Sequence, residues 1–223
     1  MQPGSSLLSE HTKIETVIWD WNGTLLNDVE INRKIINIML AKRGLEQLDL
    51  TTYKQKFCFP IRQFHSRIGI NLEKESVMTI SAEYMELYQN HEKEIELSSG
   101  ASDVLDKLNA QGVHQYILSA APQNDLLRML ASYHLTRKFK GVYGLDTICA
   151  TGKTAIGRKL IEENALNLNT TLLVGDTLHD AEVAECLGIK CICYAGGHNE
   201  SAPLAAKAAV ITSLTEILPL FIV

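Results

Sequence analysis

Residues 14 to 25 read IETVIWDWNGTL and combine a strand pattern with a turn pattern. Its apolar, β-branched beginning is typical of a buried β-strand, and the Asn-Gly that follows is typical of a tight turn. Asp20 and Asn22 are therefore predicted to stand at the carboxyl end of a strand. An aspartate in that position either caps a helix or belongs to a binding site, and the rest of the chain discriminates between the two.

The same pattern recurs along the chain, with an apolar run followed by turn residues and then by apolar residues at helical spacing. The predicted strands are residues 16–21, 113–120, 170–176, 190–195 and, more weakly, 208–212. Strands that alternate with helices join through right-handed crossovers into a parallel sheet. The predicted fold class is therefore α/β.

One interval lacks strand patterns. From about residue 28 to residue 95, apolar residues recur at three- and four-residue spacing, which predicts an all-helical insert over 28–95. The α/β core is then predicted to comprise residues 1–27 and 96–223. Within the core, Ser99 or Ser102 is predicted to cap the helix that follows.

Composition excludes several classes of function. The 21 Lys and Arg residues against 26 Asp and Glu give a net charge of −5 without a basic run, which argues against nucleic-acid binding. No signal-peptide pattern is visible, and no apolar run approaches the roughly 20 residues of a membrane span. We expect a cytoplasmic protein without a membrane partner. The five cysteines lack the paired spacing of a zinc site and include two in a predicted strand: Cys58, Cys149, Cys186, Cys191 and Cys193.

Chemically reactive side chains follow the predicted strands. In an open α/β sheet, ligands bind beyond the carboxyl ends of the strands. The residues delivered to that edge are Asp20, Asn22, Ser119, Asp176 and Asp180, and Lys153 precedes a helix nearby. Three carboxylates, a hydroxyl and an ammonium group are thus expected to converge at one edge of the sheet.

Each candidate also has a purely structural interpretation. A strand-end aspartate can cap a helix, and Asp180 can be a favourable charge at a helix N-terminus. Ser119 can be a turn hydroxyl. Arg158 and Lys159 compete with Lys153 for the position of the cation.

Four motifs occur in one order: DWNGT (20–24), LSA (118–120), Lys153 and GDTLHD (175–180). With them, the chain resembles the haloacid dehalogenase superfamily, and in particular its phosphoglycolate-phosphatase-like branch. The segment FPIRQFHSRIG is similar to the cap sequence of that branch. The resemblance covers nearly the whole chain and implies a Rossmann-like parallel-sheet core with a helical cap domain, acting as a hydrolase of small phosphorylated metabolites. The oligomeric state does not follow from it.

The resemblance implies a role for each motif residue. Asp20 would be the nucleophile that becomes an aspartyl phosphate, Ser119 would bind a phosphoryl oxygen beside Ala120, and Lys153 would neutralise phosphate charge. Mg²⁺ would be the cofactor, bound by oxygen ligands. Those ligands would be Asp20, the main-chain carbonyl of Asn22, Asp176 and, directly or behind it, Asp180. The cap would offer Arg62, Arg67, His65 or Lys56 to the substrate, although each could equally be solvated on a helix surface.

Asn22 departs from the family pattern. In phosphatases of the family, an aspartate at this position protonates the leaving group and later deprotonates the attacking water. An amide does neither near neutral pH, and such proton transfer is typically worth about 10² to 10⁴ in rate. We expect a slow phosphatase that favours leaving groups needing no proton, and we expect Asn22→Asp to raise its rate.

Two other functions stay open at this point. A member that binds a phosphorylated ligand without hydrolysing it would also tolerate Asn22. A carbon–halogen or carbon–phosphorus hydrolase would lack the second aspartate too. Dehalogenation does not need the metal site, so Asp176 argues against it, and Lys54 or Lys56 is only a weak candidate for the Schiff-base lysine of a phosphonate hydrolase.

Overall fold

The computed structural model describes residues 13–145 and 152–221, so Cys149 lies outside the described part. Eight strands are found, with these bounds: β1 Thr16–Trp19, β2 Leu26–Asn27, β3 Glu96–Leu97, β4 His114–Pro122, β5 Gly141–Leu145, β6 Thr171–Gly175, β7 Lys190–Tyr194 and β8 Ala209–Ile211. Six of them form one sheet in the order β5-β4-β1-β6-β7-β8, and every neighbouring pair is parallel. The predicted α/β class is confirmed.

Nine α-helices are found in the described residues, and those after β3 alternate with the strands of the core. Their bounds are α1 Val29–Lys42, α2 Leu50–Lys56, α3 Ile61–Arg67, α4 Val77–His91, α5 Ala101–Ala110, α6 Gln123–Ser132, α7 Lys153–Glu163, α8 Leu178–Leu187 and α9 Ser201–Ala205. Short 3₁₀ helices span Glu92–Glu94, Thr136–Lys138, Leu168–Thr170 and Leu214–Phe221. None of the helices in the described residues is long and apolar enough to cross a membrane.

Residues 28–95 contain α1 to α4 and one 3₁₀ turn, and no strand. We call them the helical insert. The short strands β2 and β3 lie immediately before and after the insert and pair antiparallel with each other. A division into a core and a cap would fall at this pair, and the division itself stays a prediction.

Alternate residues of β1 face opposite layers of helices. Val17 and Trp19 belong to the larger core cluster, which α5 and α6 help to form, whereas Ile18 packs with residues of α7 and α8. This is the period-two alternation of a strand covered on both faces. The sheet is therefore sandwiched between two helical layers.

The structure departs from the sequence-based expectations in several places, and the two-residue strands β2 and β3 are among the elements that were not predicted. Strand β5 was not predicted, because GVYGL carries two glycines and is mostly half-buried at the edge of the sheet. Strand β4 continues to Pro122, two residues beyond the predicted strand 113–120 that contains Ser119. The prediction of Ser99 or Ser102 as a cap is wrong: α5 starts from Gly100, whose φ of 76° suits glycine, and no side chain caps it.

Strand β1 lies between β4 and β6, and this position builds the site. From β1 the chain runs outward to β4 and β5 and then returns to β6 on the other side of β1, so the carboxyl ends of β4, β1 and β6 flank a crevice at the switch in strand order. Ligands of open α/β sheets bind in such crevices.

Candidate active site

The loop after β1 is shaped by a close approach to Asp176. Gly23 adopts a φ of +76°, and a Cβ atom there would overlap the Asp176 carboxylate, so both the conformation and the space require glycine. Thr24 is fully buried, and its hydroxyl lies 3.1 Å from Asp176 Oδ1 and 3.4 Å from Asp20 Oδ2. The Thr24 hydroxyl therefore contacts two carboxylates of the site.

Three predicted carboxylates come together at this edge. Asp20 follows β1, Asp176 follows β6, and Asp180 lies in the first turn of α8. All three are buried, and one oxygen from each lies within 4.8 Å of the others. Asp176 Oδ2 also accepts a hydrogen bond of 2.5 Å from the main-chain nitrogen of His198.

Lys153 is the cation of this cluster. It is the first residue of α7, its side chain is only 3% exposed, and its ammonium group donates to Asp20 Oδ1 and, at 2.5 Å, to Asp180 Oδ1. Burial disfavours the charge, but the negative charges of Asp180 and Asp20 outweigh it and raise the pKa of Lys153. The competing Arg158 and Lys159 are exposed, and Lys159 pairs with Glu163 at 3.9 Å.

Asp180 is fully engaged by the protein. Its Oδ2 accepts hydrogen bonds from the Thr177 nitrogen at 2.9 Å, the Thr177 hydroxyl at 2.6 Å and the Asp176 nitrogen at 3.2 Å, while Oδ1 binds Lys153. The Thr177 contacts form a capping box at the start of α8. Although burial acts to raise the pKa of Asp180, the charge of Lys153 lowers it overall. The geometry thus favours Asp180 as the residue that orients Lys153.

The cluster carries excess negative charge. Burial raises the pKa of Asp20 well above its usual range, with Lys153 opposing this and Asp180 adding to it. Burial likewise raises the pKa of Asp176 to about 6, although His198 opposes the shift. Within the described residues, no group donates a hydrogen bond to the main-chain carbonyl of Asn22. Buried carboxylates with one ammonium group and a spare carbonyl are a donor set that suits a hard divalent cation.

The remaining predicted residues differ in position. Ser119 on β4 is 1% exposed, and its Oγ accepts a hydrogen bond of 3.1 Å from the Ala121 nitrogen. Ala120 beside it is half-buried. Arg62 is exposed on α3 and makes no hydrogen bond or ion pair within the described residues. The structure therefore does not bring Arg62 into the carboxylate cluster.

A second polar cluster surrounds Asp28, which the sequence reasoning missed. Asp28 is fully buried, and its carboxylate accepts hydrogen bonds from Asn22 Nδ2 at 2.7 Å, the Gly23 nitrogen at 2.8 Å and the Tyr88 hydroxyl at 3.0 Å. His198 Nε2 lies 3.3 Å from it. Burial acts against the charged form, but the hydrogen bond and charge of His198 lower the pKa of Asp28 overall.

His198 connects the core to the helical insert. Its Nδ1 lies 2.9 Å from the hydroxyl of Tyr53 on α2, and its ring stacks on Phe57 with centroids 4.6 Å apart. Burial disfavours its charged form, yet Asp28 raises the pKa of His198 above the usual value. The sequence offered only a weak signal, because Asp28 stands where a helix cap would and His198 lies in the loop after β7.

Comparisons with known proteins show which family the chain belongs to. The family model described as haloacid dehalogenase-like hydrolase matches residues 17–194. A phosphoglycolate phosphatase of Pseudomonas fluorescens is 26% identical, over 91% of this chain and 78% of its own. A 5'-nucleotidase of Pseudomonas aeruginosa is 24% identical, over 79% of this chain and 80% of its own.

Solved structures share the fold. CbbY from Rhodobacter sphaeroides, determined in complex with phosphate, superposes with a TM-score of 0.73 at 17% identity, covering 93% of this chain and 99% of its own. A haloacid dehalogenase-like hydrolase from Streptococcus pneumoniae has a TM-score of 0.72 at 22% identity, covering 95% of this chain and 100% of its own. The chain therefore belongs to the haloacid dehalogenase-like hydrolase family, to its phosphoglycolate-phosphatase-like branch, and is a phosphatase of that family.

Proposed function

We propose that this phosphatase hydrolyses small phosphorylated metabolites with the help of Mg²⁺, through an aspartyl phosphate on Asp20. The observation that carries the proposal is the buried cluster in which Asp20 and Asp176 meet at adjacent strand ends and Lys153 of α7 contacts Asp20. The names of the relatives favour phosphoglycolate or a nucleoside monophosphate as the substrate. Asp20, Asp176 and the main-chain carbonyl of Asn22 would hold the ion, which would offset phosphoryl charge.

The chain's own residues would divide the reaction into two displacements. A carboxylate oxygen of Asp20 attacks phosphorus, the ester P–O bond breaks, and the leaving alcohol takes the electron pair and a proton from water. Water then attacks the same phosphorus, and the bond to Asp20 breaks to restore the carboxylate. Lys153 keeps Asp20 ionised and aimed, and the hydroxyl of Ser119, with Ala120 beside it, contacts a phosphoryl oxygen.

The proposal assigns the helical insert a role in substrate selection. Tyr53, Phe57 and Tyr88 of the insert lie beside the core loops that carry Asn22 and His198. A leaving group between these surfaces would be shielded from water. Arg62, which is exposed on α3, is the proposed contact of the insert with the leaving group.

The test is a panel of phosphate monoesters assayed with Mg²⁺. We expect turnover that a chelator abolishes and that Asp20→Asn reduces to background, since no nucleophile remains. Asp103→Asn, an exposed aspartate on α5, is the matched control and should behave as the unaltered protein. Equal turnover in Asp20→Asn and in the control would refute the proposal.

A second candidate is a phospho-ligand binder with little or no turnover, and Asn22 is the observation that favours it. Its signature would be ligand-dependent thermal stabilisation, or stoichiometric phosphoenzyme, without multiple turnovers. The same panel distinguishes the two, because a phosphatase releases more phosphate than there is enzyme.

A further inference from the structure

The orientation of the Asn22 amide is fixed by its partners. Its Nδ2 lies 2.7 Å from Asp28 Oδ2 and 3.1 Å from the hydroxyl of Tyr88, so both of its hydrogens have an acceptor. An ionised carboxylate only accepts hydrogen bonds, and Asp28 therefore determines which end of the amide faces it. Asn22 Oδ1 is left without a hydrogen-bond donor in the part of the chain that the structure describes.

Asp28 cannot turn away from this contact. Its other oxygen, Oδ1, is held by the Gly23 nitrogen at 2.8 Å and by His198 Nε2 at 3.3 Å. His198 is itself held by its main-chain bond to Asp176 and by Tyr53. The carboxylate is thus fixed from both ends, in a place from which water is excluded.

We propose that Asn22 and Asp28 form a transposed amide–carboxylate pair, in which Asp28 is a positioning residue that turns Asn22 Oδ1 towards the reacting water. This rests on the proposed function. When water attacks the phosphorus of the aspartyl phosphate, Oδ1 accepts a hydrogen bond and aligns the water. It does not remove the proton, which leaves with the phosphate as the bond to Asp20 breaks. Asn22 then aligns the water, whereas the carboxylate that could remove a proton belongs to Asp28, which is hydrogen-bonded to Asn22.

The pair can be exchanged without losing a contact. In Asn22→Asp/Asp28→Asn, the amide oxygen at position 28 would accept from the Gly23 nitrogen and His198, and its nitrogen would donate to the carboxylate at position 22. The Tyr88 hydroxyl now lies 3.1 Å from Asn22 Nδ2. It could therefore rotate and donate a hydrogen bond to the carboxylate at position 22. The exchange restores every partner and places a proton-transfer group at position 22.

Either single substitution breaks the pair. Asn22→Asp alone would set a half-buried carboxylate about 2.7 Å from the fully buried carboxylate of Asp28, so one must take up a proton or move. Asp28→Asn alone would set two amide nitrogens against each other. Because the Gly23 nitrogen donates to position 28 and holds the oxygen of the new amide, Asn22 is the amide that must flip, and it would present its nitrogen to the water. The expectation that Asn22→Asp by itself raises the rate is revised accordingly, because Asp28 opposes the new charge.

The experiment is a double-mutant cycle, with kcat and KM measured on p-nitrophenyl phosphate and on 2-phosphoglycolate. The aryl ester needs no proton on its leaving group, whereas the alkyl ester does. We expect the double variant to exceed the unaltered protein in kcat on the alkyl ester by about 10²-fold, the lower end of general acid–base catalysis. Asp28→Asn should lower kcat on both esters with little change in KM, and Asn22→Asp should fall well below the double variant.

The proposed coupling of Asn22 and Asp28 would be overturned if the effects of the two substitutions on kcat were additive. It would also be overturned if Asn22→Asp alone were as active as the double variant. Asp103→Asn again controls for loss of a charge. Thermal unfolding of the four proteins separates this inference from the proposed function: each single variant should lower Tm and the double variant should regain it. If none of the four turns over a monoester, the proposed function fails, and additive Tm shifts would then overturn the pair as well.

Discussion

Lys153 balances two of the three clustered carboxylates, so its removal should affect both stability and activity. In Lys153→Met, Asp20 and Asp180 would stay buried without their counter-ion, and breaking such a pair costs about 3–5 kcal/mol. The nucleophile would also become easier to protonate, which should abolish most turnover. Urea unfolding and the monoester assay measure the two effects.

Lys159→Met is the matched control, because that side chain is exposed and its ion pair with Glu163 spans 3.9 Å. Surface pairs of this kind contribute at most about 1 kcal/mol. Equal stability of the two methionine variants would contradict the role given to Lys153.

Single residues were predictable from sequence where strand geometry decides their position. The carboxyl ends of parallel strands lie at the same edge of the sheet. Asp20 and Asp176 could therefore be predicted to lie close together, and β1 and β6 are indeed neighbours. The choice of Lys153 over Lys159 depended on which side of α7 faces the core, and Asp28 with His198 depended on a contact between distant segments. Such contacts follow from packing between distant segments, for which the sequence pattern carries only a weak signal.

At the scale of elements, α3 of the helical insert contains a pH-sensitive group. His65 is 3% exposed, and its Nδ1 has no hydrogen-bond partner within the described residues. Burial, and after it the nearby Arg43, lowers the pKa of His65 to about 4. The unfolded chain therefore takes up this proton first as pH falls below about 6.5.

Stability contributed by neutral His65 should be complete above about pH 6.5 and lost as pH falls towards 4, by at most about 3 kcal/mol. His65→Leu has no group to protonate at this position. The free energy of unfolding of this variant, relative to that of the unaltered protein, should therefore rise as pH falls from about 6.5 towards 4. Urea unfolding at several pH values measures the difference, with the exposed His114→Leu as the control. A pH-independent difference for His65→Leu would show that His65 titrates normally.

Elements differ in how far sequence could predict them. The insert helices repeat apolar residues over many turns, and α1 and α4 were recognisable for that reason. Strand β5 is short, glycine-containing and half-buried, so it carries neither alternation nor a continuous apolar run. Its place is determined by pairing with β4, which supplies the partner groups that its own sequence does not specify.

At the scale of the whole molecule, one core loop holds the insert against the sheet. Asn199 accepts a hydrogen bond from the Leu178 nitrogen at 2.9 Å and donates to the carbonyl of Phe57 at 2.9 Å. It thereby connects the start of α8 to the end of α2. His198 beside it binds Asp176, Asp28 and Tyr53, so the metal-ligand candidates and the insert share one support.

Mg²⁺ binding should therefore stabilise the whole fold. An ion that binds only the folded state at 100 times its Kd adds about 2.7 kcal/mol, seen as a rise in Tm with Mg²⁺ concentration. Asp176→Asn should abolish this rise. Because burial already raises the pKa of Asp176 to about 6, its charge is unfavourable without the ion, and Asp176→Asn should melt no lower than the unaltered protein in chelator. Thermal unfolding with and without Mg²⁺ measures both, Asp103→Asn should keep the full rise, and an undiminished rise in Asp176→Asn would place the ion elsewhere.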